Sequence, residues 1–257
     1  MIFDTHAHYD DKAFDEDRDE LLQSMKENGI GTIVNIGADM ESSARTVELT
    51  KEYPFIYGAV GVHPSDTADL TEEDMEKLRI WSGQEKILAI GEIGLDYHYP
   101  EPDKETQKKW FIRQLALARE VGLPVVIHSR EAAEDTLKIM QEYGRDLGGV
   151  IHCFSYGKEL AMEYVKLGYY IGVGGVLTFK NARKLVEAVE VIPLDRLVLE
   201  TDCPYLAPEP HRGTRNSSLN LTYVVQKLAQ QKDIPEEEII RKTRENAVRM
   251  YRMKQTI

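Results

Sequence analysis

Short apolar runs alternate with longer amphipathic stretches along this chain. The runs cover residues 2–4, 32–36, 56–61, 87–92, 125–128, 150–152, 170–173 and 197–200. They are rich in β-branched residues and apolar at consecutive positions, the pattern of strands buried on both faces of a parallel sheet. Between them lie segments with apolar residues at helical spacing. Residues 15–28 carry Leu21, Leu22 and Met25 on one face and stop at Gly29; residues 103–121 carry Trp110, Phe111, Gln114, Leu115 and Ala118 and stop at Gly122. A glycine just past the last turn supplies the left-handed residue that closes a helix. Segments 131–143, 158–167 and 181–189 read the same way. After the eighth run, a loop with Pro204, Pro208 and Pro210 leads to two more helices, over 219–231 and 235–251.

No linker, low-complexity tract or break in composition divides the pattern. Eight βα units in succession predict one closed (β/α)8 barrel of the TIM type over residues 1–257. The alternative is an open doubly wound sheet. Such sheets usually have fewer strands, and no GxGxxG follows the first run.

Composition narrows the class. The chain has 257 residues, 42% of them apolar and 30% charged, which is globular rather than disordered composition. No apolar run approaches the roughly 18 residues of a membrane-crossing helix. The opening MIFDTHAHYDDK lacks the basic-then-apolar order of a signal peptide. Two cysteines, Cys153 and Cys203, make no disulfide framework and no CxxC pair, which suits a reducing cytoplasm and argues against a thiolate zinc site. A net charge of −12 disfavours loose adhesion to DNA or to an anionic membrane, but leaves room for a nucleic-acid substrate held by metals and a few arginines.

The chemistry-bearing residues fall at the ends of the predicted strands. His6 and His8 follow the first, Glu92 closes the fourth, His128 the fifth and His152 the sixth, and Asp202 lies just beyond the eighth. In a barrel these carboxyl ends share one rim, where active sites form. His6 and His8, two apart on extended chain, point to the same side, so one cation can take both. Imidazole and carboxylate suit Zn, Mn or Fe, and carboxylate with water suits Mg. Six such ligands exceed one tetrahedral ion and suit two divalent ions per chain with a shared carboxylate, for which Glu92 stands in the middle. A lone histidine at a strand end is usually a satisfied polar residue; four of the seven histidines with two acids, all at strand ends, make a stronger pattern.

Other residues carry open alternatives. His63, in GVHP after the third strand, is either a substrate contact or loop packing. His98 and His211 read as loop histidines. Cys153 and Cys203 read as packing residues, and the acidic run 10–20 as a solvated helix start. Arg130 in IHSR is a substrate-phosphate contact or a partner of Glu131 or Glu134, with Arg212 and Arg215 as further phosphate contacts. No G-x-S-x-G elbow supplies a serine nucleophile.

MIFDTHAHYD, GVHP, IGEIGLDY, PVVIHSR, IHCFSY and LETDCPYLAP occur in that order. In these motifs and through the C-terminal TREN-A-VRMY segment, the whole chain resembles the TatD family of metal-dependent deoxyribonucleases, in the amidohydrolase superfamily. The resemblance implies a TIM-type barrel with a binuclear divalent centre. One ion would take His6, His8 and Asp202, the other His128 and His152, with Glu92 bridging. Glu92 stands where many other amidohydrolases carry a carboxylated lysine. One departure is visible: Tyr156 stands where the family often has glycine. The implied activity is hydrolysis of phosphodiester bonds, often from the 3′ end of single-stranded DNA, with RNA as a further substrate, and with Asp202 as base for the attacking water. The alternatives are an ester or amide hydrolase on the same centre, acting for instance on aminoacyl-tRNA or a lactone, and a binding protein that has lost turnover. A monomer is the default expectation, with no membrane partner.

Overall fold

The computed structural model describes residues 1–254. Eight parallel strands follow one another around a single sheet in chain order. They are β1 (Ile2–Ala7), β2 (Ile30–Ile36), β3 (Ile56–Val60), β4 (Ile87–Asp96), β5 (Val125–Arg130), β6 (Gly149–Ile151), β7 (Tyr170–Val173) and β8 (Leu197–Leu199). Nine helices are described: α1 (Arg18–Ser24), α2 (Met40–Glu52), α3 (Glu72–Ser82), α4 (Lys104–Val121), α5 (Ala133–Tyr143), α6 (Lys158–Lys166), α7 (Arg183–Val191), α8 (Leu221–Lys232) and α9 (Glu236–Met250). This is the expected TIM-type (β/α)8 barrel.

The seam between β8 and β1 is joined by backbone bonds, with the Asp202 N–H donating to the His6 carbonyl at 2.9 Å and the His8 N–H to the Cys203 carbonyl at 2.8 Å, and by side chains. Ala7 and Cys203 form an isolated bridge. The Thr5 hydroxyl donates to the Leu199 carbonyl at 3.0 Å. Buried Asp4 accepts from the Thr201 and Ser218 hydroxyls at 2.7 and 2.6 Å. A buried carboxylate is tolerable only with such donors around it.

Inside the barrel, Phe3, Val34, Ala59, Ala89, Val126, Val150 and Val198 come from seven different strands and pack with Ala247, Met250 and Tyr251 at the end of α9. The last helix therefore plugs the amino ends of the strands. Tyr251 donates its phenol to the Thr5 carbonyl at 2.7 Å, and Asn246 donates to the carbonyls of Leu194 and Leu197 at 2.8 and 2.7 Å. The opposite rim is left for chemistry.

Several sequence-based boundaries shift. A helix over residues 15–28 is expected; the structure has a short 3-10 turn (Lys12–Phe14) and then α1, only seven residues long. The Arg18 guanidinium donates to the Tyr9 carbonyl at 2.6 Å, and the Asn28 side chain takes the Ser24 carbonyl at 2.9 Å, so local side-chain bonds replace helix at both ends. Strand β4 runs on to Asp96, which puts Glu92 inside the strand rather than at its end. His6 lies within β1 and His128 within β5, whereas His152 lies just past β6.

Candidate metal centre

Five strand ends bring His6, His8, Glu92, His128, His152 and Asp202 together, as the pattern of strand ends predicts, and His63 with them. Glu92 is the hub. Its Oε1 lies 2.8 Å from His128 Nδ1, 2.7 Å from His152 Nε2 and 3.9 Å from His63 Nε2. Its Oε2 lies 3.4 Å from His6 Nε2 and 3.8 Å from His8 Nε2. The two oxygens thus face two separate groups of imidazoles. Asp202 Oδ1 closes the first group, 3.5 Å from His6 Nε2 and 3.3 Å from His8 Nε2. His152 touches both groups, because its ring also stacks on that of His6 with centroids 3.9 Å apart.

Hydrogen bonds fix which nitrogens point inward. His8 Nδ1 lies 2.8 Å from the Ile36 carbonyl, which can only accept, so Nδ1 is the donor and Nε2 is the nitrogen turned to the carboxylates. His128 Nε2 lies 3.2 Å from Asp96 Oδ2, so Nε2 donates there and Nδ1 faces Glu92. A carboxylate or carbonyl on the far nitrogen is the usual support for a metal-ligating imidazole. Asp202 has φ 57°, in the left-handed region that aspartate enters more readily than most residues; its carbonyl, beyond the short β8, accepts from Tyr205 N–H at 2.9 Å.

The electrostatics match a crowded anionic centre. Burial pushes the His8 imidazole down, but Asp202 and Glu92 outweigh it and hold it up at about 10. His128 stands at about 9 for the same reason, burial being outweighed by Asp96 and Glu92. His6 goes the other way: burial and the charge of His152 bring it to about 4 against the pull of Glu92. Burial and His128 bring His63 to about 3. Despite its burial, Glu92 is held well below the ordinary carboxylate range by His152 and His6.

This donor set fits a divalent cation. His6 Nε2 and His8 Nε2 face each other at 3.0 Å, beside two carboxylate oxygens. Holding a cation, His8 would be neutral, with its one N–H spent on Ile36. The remaining lone pairs and negative charge converge on one point, which a cation satisfies. Three donor sets lie with their ligand atoms within 4.8 Å of one another: His6, His8 and Glu92; His6, His152 and Asp202; and His63, Glu92 and His128. His63 thus brings Nε2 to the site, while its Nδ1 accepts from Ser65 N–H at 3.2 Å, so the same ring also caps the turn after β3.

Other expected residues separate. Arg130 is exposed; among the described residues it pairs with neither Glu131 nor Glu134, and its guanidinium carbon lies 5.7 Å from the centre of the Tyr99 ring. Glu131 instead binds His98 at 2.8 Å. Arg215 is engaged by Asp17 and the Ala13 carbonyl, each at 2.7 Å from Nη1, which removes it as a phosphate contact. His211 bonds the Tyr223 hydroxyl at 3.0 Å. Tyr156 turns inward, its phenol 3.1 Å from the Ser129 hydroxyl and 3.3 Å from Ala132 N–H, so the departure from glycine is absorbed at the start of α5. Sequence reasoning missed Asp96 and also Glu200. Glu200 is buried, accepts from Cys153 N–H, and is pushed by that burial up to about 8. An acid closing an otherwise apolar run, as in LVLE, was the available signal.

A parallel barrel with clustered imidazoles and carboxylates at its carboxyl rim defines a metal-dependent hydrolase. The family model described as TatD related DNase matches residues 3–252. The chain belongs to the TatD family. It is 45% identical over 254 residues to YabD of Bacillus subtilis, described as an uncharacterized metal-dependent hydrolase, covering 98% of this chain and 100% of that one. It is 33% identical over 236 residues to the 3'-5' ssDNA/RNA exonuclease TatD of Cronobacter sakazakii, covering 89% of each. The crystal structure of the TatD homologue YJJV from Escherichia coli superposes with a TM-score of 0.92 at 31% identity over 98% of both chains. Among the described residues, no helix is long and apolar enough to cross a membrane.

Proposed function

We propose that this chain hydrolyses phosphodiester bonds in single-stranded nucleic acid, removing nucleotides from the 3′ end of DNA, and of RNA where offered. The observation that carries the reading is the division of Glu92, with Oε1 turned to His128 and His152 and Oε2 to His6 and His8. A carboxylate so placed would serve two cation positions, with Asp202 beside the one next to His6 and His8. Two-metal centres of this kind suit phosphodiester hydrolysis. The exonuclease name of the Cronobacter relative supports the same choice.

Divalent ions held there would acidify a water, polarise the phosphoryl oxygen and stabilise the leaving oxygen. Asp202 takes the proton of the attacking water: its carboxylate is held below the ordinary range by His8, His152 and His6 despite burial, so it is ionised and ready to accept at neutral pH. His63 lies beside Glu92 and His128 and is neutral at pH 7, free to donate to a phosphate oxygen. Arg130 contributes fixed positive charge at the rim.

A 5′-labelled DNA oligomer tests this, using metal-stripped protein with Mg, Mn or Zn added back. A stepwise ladder that requires metal and drops by about 100-fold or more in Asp202→Asn is expected. Absence of cleavage with every ion, while ions still bind, would overturn the nuclease reading and favour an ester or amide substrate, aminoacyl-tRNA being the first to assay.

A further inference from the structure

Two large aromatic side chains stand exposed at the rim. Tyr205 is 55% exposed and Tyr99 54% exposed, more than any other aromatic residue of the structure described. Each follows a site residue by three positions. Tyr205 N–H donates to the Asp202 carbonyl at 2.9 Å, and its ring meets that of His8 edge-on with centroids 6.4 Å apart. Its phenol donates to Asp11 Oδ2 at 2.8 Å, which holds the ring upright. Tyr99 follows Asp96, the partner of His128, and lies against the His98 ring and the Arg130 guanidinium.

Of the arginines in the loop after β8, Arg215 is held by Asp17. Arg130 and Arg212 have no carboxylate partner among the described residues. Each lies instead against an aromatic ring, Arg212 at 3.9 Å from the centre of Phe179. In a chain of net charge −12, two guanidiniums left without acidic partners near one rim are placed for an anionic ligand.

We propose that Tyr205 and Tyr99 are base platforms: unpaired bases on either side of the scissile phosphate stack on the two phenol rings, while Arg130 and Arg212 take flanking phosphates. The inference rests on the nucleic-acid reading above and adds the basis of strand selection. Every base has a π face, so stacking tolerates sequence, but a base within a duplex is already stacked and paired and cannot reach the ring without paying to leave. The platforms therefore select unpaired ends.

Fluorescence anisotropy with a labelled phosphorothioate oligothymidylate, which resists hydrolysis, measures the effect on the metal-loaded protein. Tyr205→Ala and Tyr99→Ala should each weaken binding about fivefold or more, while Tyr205→Phe and Tyr99→Phe retain it. A strand of the same length with abasic sites should bind wild type more weakly and be indifferent to the alanine substitutions. Equal losses on both strands, or no loss on either, would overturn the platforms. If wild type bound neither strand and also made no ladder, the nucleic-acid reading would fall with them; a normal ladder in both alanine variants with unchanged binding would remove the platforms alone.

Discussion

Glu92 shows how much a single side chain can organise. Five imidazoles lie within 3.9 Å of its two oxygens, and those imidazoles outweigh burial in keeping it ionised. The reciprocal effect has a sign that can be worked out. Without an ion, His8 at about 10 and His128 at about 9 both carry a proton at pH 7. A metal needs the neutral lone pair, so loading must expel protons, and affinity must rise as pH climbs from 6 towards 9. Calorimetric titration at pH 7 in buffers of different ionisation enthalpy should show a buffer-dependent heat; identical heats would contradict it. Asp96 acts one contact further out. By accepting from His128 Nε2 it leaves Nδ1 turned to Glu92. Asp96→Asn should weaken metal binding by about 10- to 100-fold with little change in melting temperature, and an unchanged affinity would remove that role. The six residues of the cluster centred on Glu92 were legible because four histidines and two acids recur at the ends of apolar runs. Asp96 and Glu200 were not, because their value lies in what they touch across the sheet. Glu200 meets Cys153 from another strand, and Asp96 meets His128 from the neighbouring one.

At the scale of the element, β4 carries the design. It contributes Glu92 and Asp96, and it is the longest strand, ten residues. Its register with β5 sets Gly94 opposite His128 and Asp96 opposite Arg130. Gly94 adopts φ 149°, and a Cβ there would stand 1.9 Å from the His128 carbonyl oxygen. Backbone cannot yield as a flexible side chain can, so Gly94→Ala should push β5 aside and disturb His128 with it. The expected result is loss of metal retention together with destabilisation of about 2 kcal/mol or more; a variant with normal melting and normal metal content would show that β5 can move freely. The sequence reading ended this strand at Glu92 because the glycines of GEIGLD interrupt the apolar run. The reading also passed over α2 and α3, whose apolar faces are thin. Their starts were written in the chain all the same: Asp39 with Ser42, and Thr71 with Asp74, form reciprocal capping boxes. By contrast α4 was legible from end to end, since Asp103 caps it and Gly122 closes it in the left-handed conformation.

For the whole molecule, the barrel assigns its two ends different tasks. Small and medium apolar residues from seven strands close one end around Ala247, Met250 and Tyr251 of the C-terminal segment. That packing leaves the carboxyl rim to collect donors separated by almost two hundred residues, His6 and Asp202 among them. The division explains why the closed barrel could be read from strand count and order while the side chains at its seam could not. The β8–β1 seam depends on Asp4, Thr5, Thr201 and Ser218, polar residues whose pairing crosses the length of the chain. It also makes the rim a single unit, in which one carboxylate joins donors from both sides. Counting tightly bound metal per chain by elemental analysis after exhaustive dialysis tests that directly, in wild type and in Glu92→Gln. Two ions in wild type, and one or none in a variant that keeps its far-ultraviolet spectrum, is the predicted result. One ion in wild type, or two in both proteins, would contradict a Glu92-bridged pair.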